Sequence, residues 1–349
     1  MRAMPPFAQA ILAWYERNAR RLPWRGHPDP YAVWLSEIML QQTRVETVIP
    51  YFHNWLKKFP TLASLAAAPQ QAALAAWEGL GYYSRARNFQ RAAQIIVSDY
   101  AGQIPKTAEE LIRLPGIGRY TAAAIASIAF GQDIATLDGN LKRIFARVFD
   151  VTDPIDTPAG EKKLWQLAEN HLPPGRAGDY NQALMDLGAS VCLPRSPLCP
   201  QCPLESLCEA RAFGLQAERP VRTPKKPVPQ KYKLAAVLLS QGKTLLNQRP
   251  ANGLLGGLWE FPAAEVTSDS AEACAAALQT AYRLKVTPRT RLPAIRHAYS
   301  HFTLTETPWR CDLLCLPPDS PLQWIPLADL PAYPMGKVDR AIANQLTAT

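Results

Sequence analysis

Apolar residues recur every three to four positions over 6–18, 30–41, 84–99, 120–130, 140–149, 160–171 and 178–190, the period of helices with one face turned to a core. Proline and glycine punctuate these runs. The stretch 62–77 is alanine-rich, a composition that favours helix without an apolar pattern of its own. Beyond residue 233 the texture changes. Runs at 233–239, 244–248 and 309–316 predict strands, and 270–283 and 336–346 predict helices. Between the two textures, 216–233 holds Pro220, Pro224, Pro227 and Pro229 among basic residues and shows no apolar period, which predicts a semi-extended linker. The pattern therefore predicts a multidomain chain: an all-α domain over 1–213, a basic proline-rich linker over 214–233 and a smaller α+β domain over 234–349. A length of 349 residues independently favours two domains.

Hydrophobic residues make up 48% of the chain, yet no apolar run approaches the roughly 20 residues that cross a bilayer. Glu16 and Arg17 follow only a short apolar patch, so no signal peptide is expected. The expectation is a reducing, cytoplasmic setting, where clustered cysteines hold metal more readily than they form disulfides. The formal charge is +9, unevenly spread: 22 basic against 19 acidic residues over 1–213, six against one over 214–233, and ten against nine over 234–349. More than half of the excess thus lies in the linker. It reads equally as a tether kept soluble by charge and as a strap that touches phosphate or a partner protein.

Cys192, Cys199, Cys202 and Cys208 fall within 17 residues as C-x6-C-x2-C-x5-C. Four thiolates this close can wrap one small inorganic centre. A structural zinc site usually shows two close pairs, and here there is one, so an iron–sulfur cluster is the first expectation, with zinc or disulfides as alternatives. Pro194, Pro197, Pro200 and Pro203 keep the loop from becoming helix. Cys274, Cys311 and Cys315 are scattered and read as small buried apolar residues.

Two further patterns carry chemistry. Thr107-Ala-Glu-Glu110 is a capping box, and Leu114-Pro-Gly-Ile-Gly118 then leads into a helix over 119–130. Gly116 and Gly118 permit a tight turn and leave N–H groups uncovered at a helix start, the physical requirement for holding a DNA phosphate without reading sequence. The alternative is a plain helix–turn–helix corner. The second pattern is a pair of carboxylates. Glu37 lies in the apolar run Val33-Trp-Leu-Ser-Glu-Ile-Met-Leu40, where burial raises its pKa towards that of a general acid. Asp138 lies in Leu137-Asp-Gly-Asn140 at a predicted helix start, a position that caps the helix and favours the ionised form. Such divergence is a sign of acid and counter-charge sharing a site.

These motifs resemble the helix-hairpin-helix DNA glycosylases, and within them the adenine DNA glycosylases, the MutY family. The residues that carry the resemblance are Leu22-Pro-Trp-Arg25, Trp34-Leu-Ser-Glu-Ile-Met-Leu-Gln-Gln-Thr43, Gly79-Leu-Gly-Tyr-Tyr83, the hairpin, Leu137-Asp-Gly-Asn140 and the cysteine loop, in the family's order. In the second domain Arg249-Pro-Ala-Asn-Gly-Leu-Leu-Gly-Gly-Leu-Trp-Glu-Phe-Pro262 is similar to the family's Nudix-like module. The related endonuclease III-like lyases carry a lysine where this chain has Tyr120, and tyrosine cannot form their Schiff base. A lyase and a non-catalytic iron–sulfur DNA-binding module are the competing readings.

The resemblance implies a monofunctional glycosylase acting, as a monomer, on duplexes with adenine opposite 8-oxoguanine or guanine, in a cytoplasmic, bacterial, nucleoid-associated setting. The adenine is flipped out, Glu37 protonates its N7, and Asp138 stabilises or briefly bonds the sugar cation. Tyr120 and Asn140 position sugar and water. Gln42, Thr43, Leu80 and Tyr82 contact the duplex around the estranged base, and Arg25 and Trp24 line the adenine pocket. One [4Fe–4S] cluster on the four cysteines organises a loop that brings Arg195 and Arg211 to DNA. The acidic R-E-x-x-E-E box of Nudix hydrolases is missing, so nucleotide hydrolysis is not expected. Tyr299-Ser300-His301 matches the loop that senses 8-oxoguanine, with tyrosine in place of phenylalanine, and Arg296 and His297 add basic contacts.

Overall fold

The computed structural model describes residues 4–224 and 227–347; Lys225 and Lys226 of the predicted linker lie outside the described residues. Contacts divide the chain into two units, Met1–Ala67 with Arg91–Lys225, and Ala68–Gln90 with Lys226–Thr349. Among the described residues no helix is long and apolar enough to cross a membrane.

The first unit is helical. Pro6–Asn18, Pro30–Leu40, Arg119–Phe130, Gly139–Val148, Pro158–Asn170 and Ala177–Ser190 occupy the predicted runs to within a residue or two, and Ser84–Asp99, whose residues up to Gln90 belong to the second unit, matches a seventh. Pro30 supplies a preset φ at the first turn, and the Asp29 carboxylate accepts from the Tyr31 N–H at 2.9 Å. The core joins Phe7, Ile11, Leu141, Phe145 and Leu184, with the Phe7 and Phe145 rings stacked at 5.6 Å. Helix Val45–Lys58 was not among the predicted runs because Pro50 interrupts it. It forms because Val48, Phe52 and Trp55, spaced four and three apart, are all buried; that burial outweighs one lost backbone hydrogen bond.

Among the described residues the second unit is built on eight strands: β1 (Gln230–Ser240), β2 (Lys243–Gln248), β3 (Trp259–Glu260), β4 (Ala263–Glu265), β5 (Lys285–Arg291), β6 (Ile295–Ala298), β7 (Thr303–Cys315) and β8 (Gln323–Pro326). The main order is β3-β2-β1-β7-β5, with β1 and β7 parallel and the other pairs antiparallel. β1 is buried on both faces. Leu234, Ala236 and Leu238 meet Cys274 and Leu278 of helix Ala271–Tyr282, while Ala235 and Val237 meet Ile342 and Ala343 of helix Lys337–Thr347. β1 begins three residues before its prediction and β7 six before: the largely exposed start of β1 is held by its ladder to β7, and the polar start of β7 by that ladder together with burial of Leu304, Glu306 and Thr307. β3, β4, β5, β6 and β8 escaped the pattern because they are short or dominated by polar residues. Cys274 and Cys311 are buried as expected, but Cys315, at the outer end of β7, is exposed.

Residues 68–90 join this unit through directed bonds. Arg340 grips Glu78 with Nε to Oε1 at 2.5 Å, Arg87 donates to the Gly256 carbonyl at 2.7 Å, and Gln71 donates to the Gly257 carbonyl at 2.8 Å.

Candidate active site and cysteine loop

The helical unit contains a cleft of about 1010 Å³ whose wall includes Glu37, Tyr120, Asp138, Asn140, Trp24 and Arg25. Helix Pro30–Leu40 is buried from Tyr31 to Met39, so Glu37 is removed from water with only 5% of its surface exposed. Burial pushes its carboxyl up to about 7; the Tyr120 hydroxyl, which donates to Oε2 at 2.8 Å, and the Arg25 charge hold it back, and Asp138 pushes it up further. A carboxyl poised there is protonated in a large share of molecules near neutral pH and can donate that proton.

Asp138 caps helix Gly139–Val148. Its Oδ1 accepts from the Leu141 N–H at 2.8 Å and its Oδ2 from the Asn140 amide at 3.1 Å. Capping was expected to keep this carboxyl low. Its pKa is instead raised, because desolvation outweighs the Leu141 and Asn140 donors and the Arg143 charge. One edge still faces the cleft. The two carboxyls therefore both rise, and their difference lies in partners: one hydroxyl on Glu37, a backbone N–H and an amide on Asp138.

What holds these groups is not marked by any motif. Arg143 donates to the Asn140 side chain at 2.9 Å, to the Gly188 carbonyl at 2.7 Å and to the Cys192 carbonyl at 2.8 Å. Gly188 also makes room: a Cβ there would stand 2.5 Å from the Asn140 Cβ. Asp186, fully buried, accepts from Arg20 Nε and Arg25, each at 2.8 Å, and Arg25 also donates to the Tyr15 hydroxyl. No local motif marks these residues, since each acts across more than 40 positions of sequence or only after the helices meet.

Of the predicted DNA-facing residues, Gln42 and Thr43 lie on the cleft, with Gln42 exposed and in the left-handed region at φ 59°. Tyr82, in the second unit, has φ 46° and is 44% exposed. Left-handed backbone at a non-glycine residue is strain that usually accompanies function. Leu80, placed among the DNA contacts from the sequence, lies in the second unit and is 6% exposed. In the hairpin, Thr107 caps Glu110 as predicted, Gly116 has φ 78°, and helix Arg119–Phe130 starts at Gly118 without a side-chain cap.

The four clustered thiols surround a small void closed by Ile144, Leu187 and Leu204. Burial raises Cys202 to about 12 and Cys208 above its usual value, while the N–H groups of Leu204 and Arg211 pull the other way. Arg147 donates to Cys192 Sγ at 3.3 Å. N–H donors aimed at sulfur suit thiolate ligands of an inorganic centre. Among the described residues no group of three or more His, Cys, Asp or Glu is arranged to hold a single metal ion. Arg195 is exposed, and Arg211 pairs with Glu205 at 3.2 Å.

In the second unit, Tyr299 and Phe302 close a tight turn between β6 and β7 through an N–H to carbonyl bond of 2.8 Å, leaving Ser300 and His301 exposed at its tip. Tyr299 is half-buried, with His297 edge-on at 4.6 Å and Phe302 at 4.8 Å. Ser300 Oγ lies 2.7 Å from the Tyr82 hydroxyl, and Arg296 is exposed.

Residues 35–170 match the HhH-GPD superfamily of base excision DNA repair proteins, and 234–345 match a NUDIX domain. An adenine DNA glycosylase of Rattus norvegicus is 38% identical over 86% of this chain and 69% of its own length, and one of Buchnera aphidicola from Schizaphis graminum is 35% identical over 85% of both. The chain belongs to the adenine DNA glycosylase family. The human member is 40% identical, and the chain spans 65% of its length. A solved thermostable thymine-DNA glycosylase, 31% identical, superposes on 59% of this chain and 95% of its own with a TM-score of 0.55. An endonuclease III–DNA complex, at 22% identity and a TM-score of 0.52, shares the fold of the same region. A glycosylase of this family hydrolyses an N-glycosidic bond, and the paired carboxyls of the cleft are suited to that work.

Proposed function

We propose that this chain excises adenine from duplex DNA where adenine faces 8-oxoguanine or guanine, by hydrolysis without a lyase step. The observation that carries the reading is the Glu37–Tyr120–Asp138 arrangement: a carboxyl near 7 hydrogen-bonded to a hydroxyl, beside a second carboxyl, with no amine at the position of Tyr120. Glu37 donates its proton to N7 of the flipped adenine, which turns the base into a neutral leaving group. Asp138 stabilises the cationic sugar, and Asn140, held by Arg143, keeps the Asp138 carboxylate oriented. Arg25 and Trp24 line the base pocket, the hairpin N–H groups at Gly116 and Gly118 take a phosphate, and Gln42, Thr43 and Tyr82 enter the duplex at the estranged base.

Cys192, Cys199, Cys202 and Cys208 would hold one [4Fe–4S] cluster, which when bound stiffens the loop and brings Arg195 and Arg211 to the DNA backbone. The Tyr299–Ser300–His301 turn reads 8-oxoguanine, and the unit that carries it hydrolyses no nucleotide, since helix Ala271–Tyr282 offers only Glu272 where a hydrolase needs several acidic ligands.

Duplexes with adenine opposite 8-oxoguanine, thymine glycol opposite adenine, and normal pairs, assayed with and without borohydride, test the reading. Adenine release without covalent trapping is expected; efficient trapping with strand cleavage would overturn it. Ser300→Ala combined with His301→Ala should reduce the preference for 8-oxoguanine over guanine, and unchanged discrimination would remove that turn from the mechanism.

A further inference from the structure

The basic segment that the sequence left undecided begins inside the helical unit. Arg219 and Asp150 form an ion pair at 2.7 Å with side chains 10% and 23% exposed, so this arginine is spent on anchoring. The Ile155 N–H donates to the Val221 carbonyl at 3.0 Å, and Thr223 donates to Asp156 through its N–H at 3.0 Å and its hydroxyl at 2.7 Å. Arg147 bonds the Arg219 carbonyl at 3.1 Å and the cysteine-loop carbonyls of Leu193 and Pro194 at 2.7 and 3.2 Å. Four tethers therefore hold residues 219–224 along the unit in one path. That path places Arg222 on the wall of the cleft that contains Glu37 and Asp138. Arg222 is exposed, and among the described residues it makes no ion pair within 4 Å. Asp156, which accepts from Thr223 in the strap, also feels the Arg222 charge, which helps to lower its pKa without forming an ion pair. The two arginines of the strap thus do different things: Arg219 is largely buried and paired with Asp150, and Arg222 is exposed on the cleft wall without an ion pair within 4 Å.

We propose that residues 219–224 are a strap belonging to the substrate cleft, and that Arg222 takes a backbone phosphate of the bound duplex. The proposal rests on the reading of the cleft as a DNA glycosylase site. A guanidinium held on an anchored strand loses little freedom on meeting a phosphate, and it binds that phosphate through paired N–H donors. A tether kept soluble by charge would not need its first half fastened at four points, and a partner-protein site would not need to share the cleft wall.

Each phosphate neutralised by a protein cation steepens the fall of log affinity with log salt by about 0.9. The full chain is titrated, over a range of NaCl, with a labelled duplex carrying a non-hydrolysable adenosine analogue opposite 8-oxoguanine. Arg222→Ala should reduce the slope by about one unit and weaken binding about three- to tenfold at moderate salt. Arg222→Glu should weaken it further, and Arg222→Lys should restore the slope. Lys163→Ala, an exposed charge of the same unit paired with Asp153, should leave the slope unchanged. An unaltered slope in both Arg222→Ala and Arg222→Glu overturns the proposal, as does a loss that Arg222→Lys fails to recover. If the wild-type chain releases adenine while the slope is unaltered, the strap alone is wrong. If it releases no base from any duplex, the reading of the cleft fails with it.

Discussion

Glu37 in the helical unit and Glu306 in β7 share a property and differ in everything around it. Burial raises each to about 7, and their exposures are 5% and 4%. Glu37 accepts from Tyr120 and faces an open cleft shared with Asp138. Glu306 is buried beside Lys233, whose charge holds it down, with Glu260, Arg249 and the strongly raised Asp339 around it, and one of its oxygens has no hydrogen-bond partner among the described residues. A raised carboxyl is therefore a statement about desolvation. It becomes a catalytic one only with access for substrate and a second group of different role.

The sharpest test of that contrast is a pair of amide substitutions. Glu37→Gln should lower the single-turnover rate of base release by about 10²- to 10⁴-fold, with DNA binding retained. Glu306→Gln should leave the rate within a few-fold of wild type. Comparable losses in both would erase the distinction, and near-normal excision by Glu37→Gln would remove it from the role of acid.

The next effect concerns stability against pH. A carboxyl raised from 4.5 to about 7 binds its proton more tightly folded than unfolded. Its contribution is fully present below about pH 4.5 and is lost as pH rises through 7, a swing on the order of 3 kcal/mol. Glu306→Gln cannot ionise, so its melting temperature relative to wild type should climb between pH 5 and 8. A difference that stays flat with pH would show that Glu306 is not protonated in the fold.

Gly188→Ala ranks third. The new methyl would press on Asn140, and overpacking of this kind costs about 1–3 kcal/mol. Excision should fall more than binding, because Asn140 orients Asp138. Full activity with a normal melting temperature would show that the helices relax around it. The smallest effect is expected from Tyr120→Phe. Removing the hydroxyl deletes the largest influence holding Glu37 down, so the alkaline limb of the pH–rate profile, near 7 in wild type, should move upward. A limb that stays in place would mean that the bond is not formed in the complex with DNA.

Much of the helical unit was legible because its core is built from residues three and four apart, a period that survives in one dimension. Helix Val45–Lys58 was missed for a physical reason: Pro50 reads locally as a break, whereas Phe52 and Trp55 bury enough surface to override it. The strands were harder. β5 and β6 expose most of their side chains and are defined by their pairing with β7, which a local pattern cannot register. The candidate catalytic carboxyls were visible because each sits in a distinctive neighbourhood, an apolar helix and a helix start. The direction of the Asp138 shift was not, because capping is local and desolvation depends on everything packed around the group.

Sequence alone determined which groups could do chemistry: two carboxyls, a tyrosine where a lyase needs an amine, four thiols and a glycine turn. These are properties of residue type and near-neighbour spacing. Only the tertiary structure decided how they are held. Arg143 reaches Asn140 and the cysteine loop at once, Asp186 gathers two arginines, and the strap delivers Arg222 to the cleft. All of these but the Arg143–Asn140 bond join residues tens to more than a hundred positions apart, and they exist only where packing has already excluded water and made an unpaired buried charge too costly to leave alone.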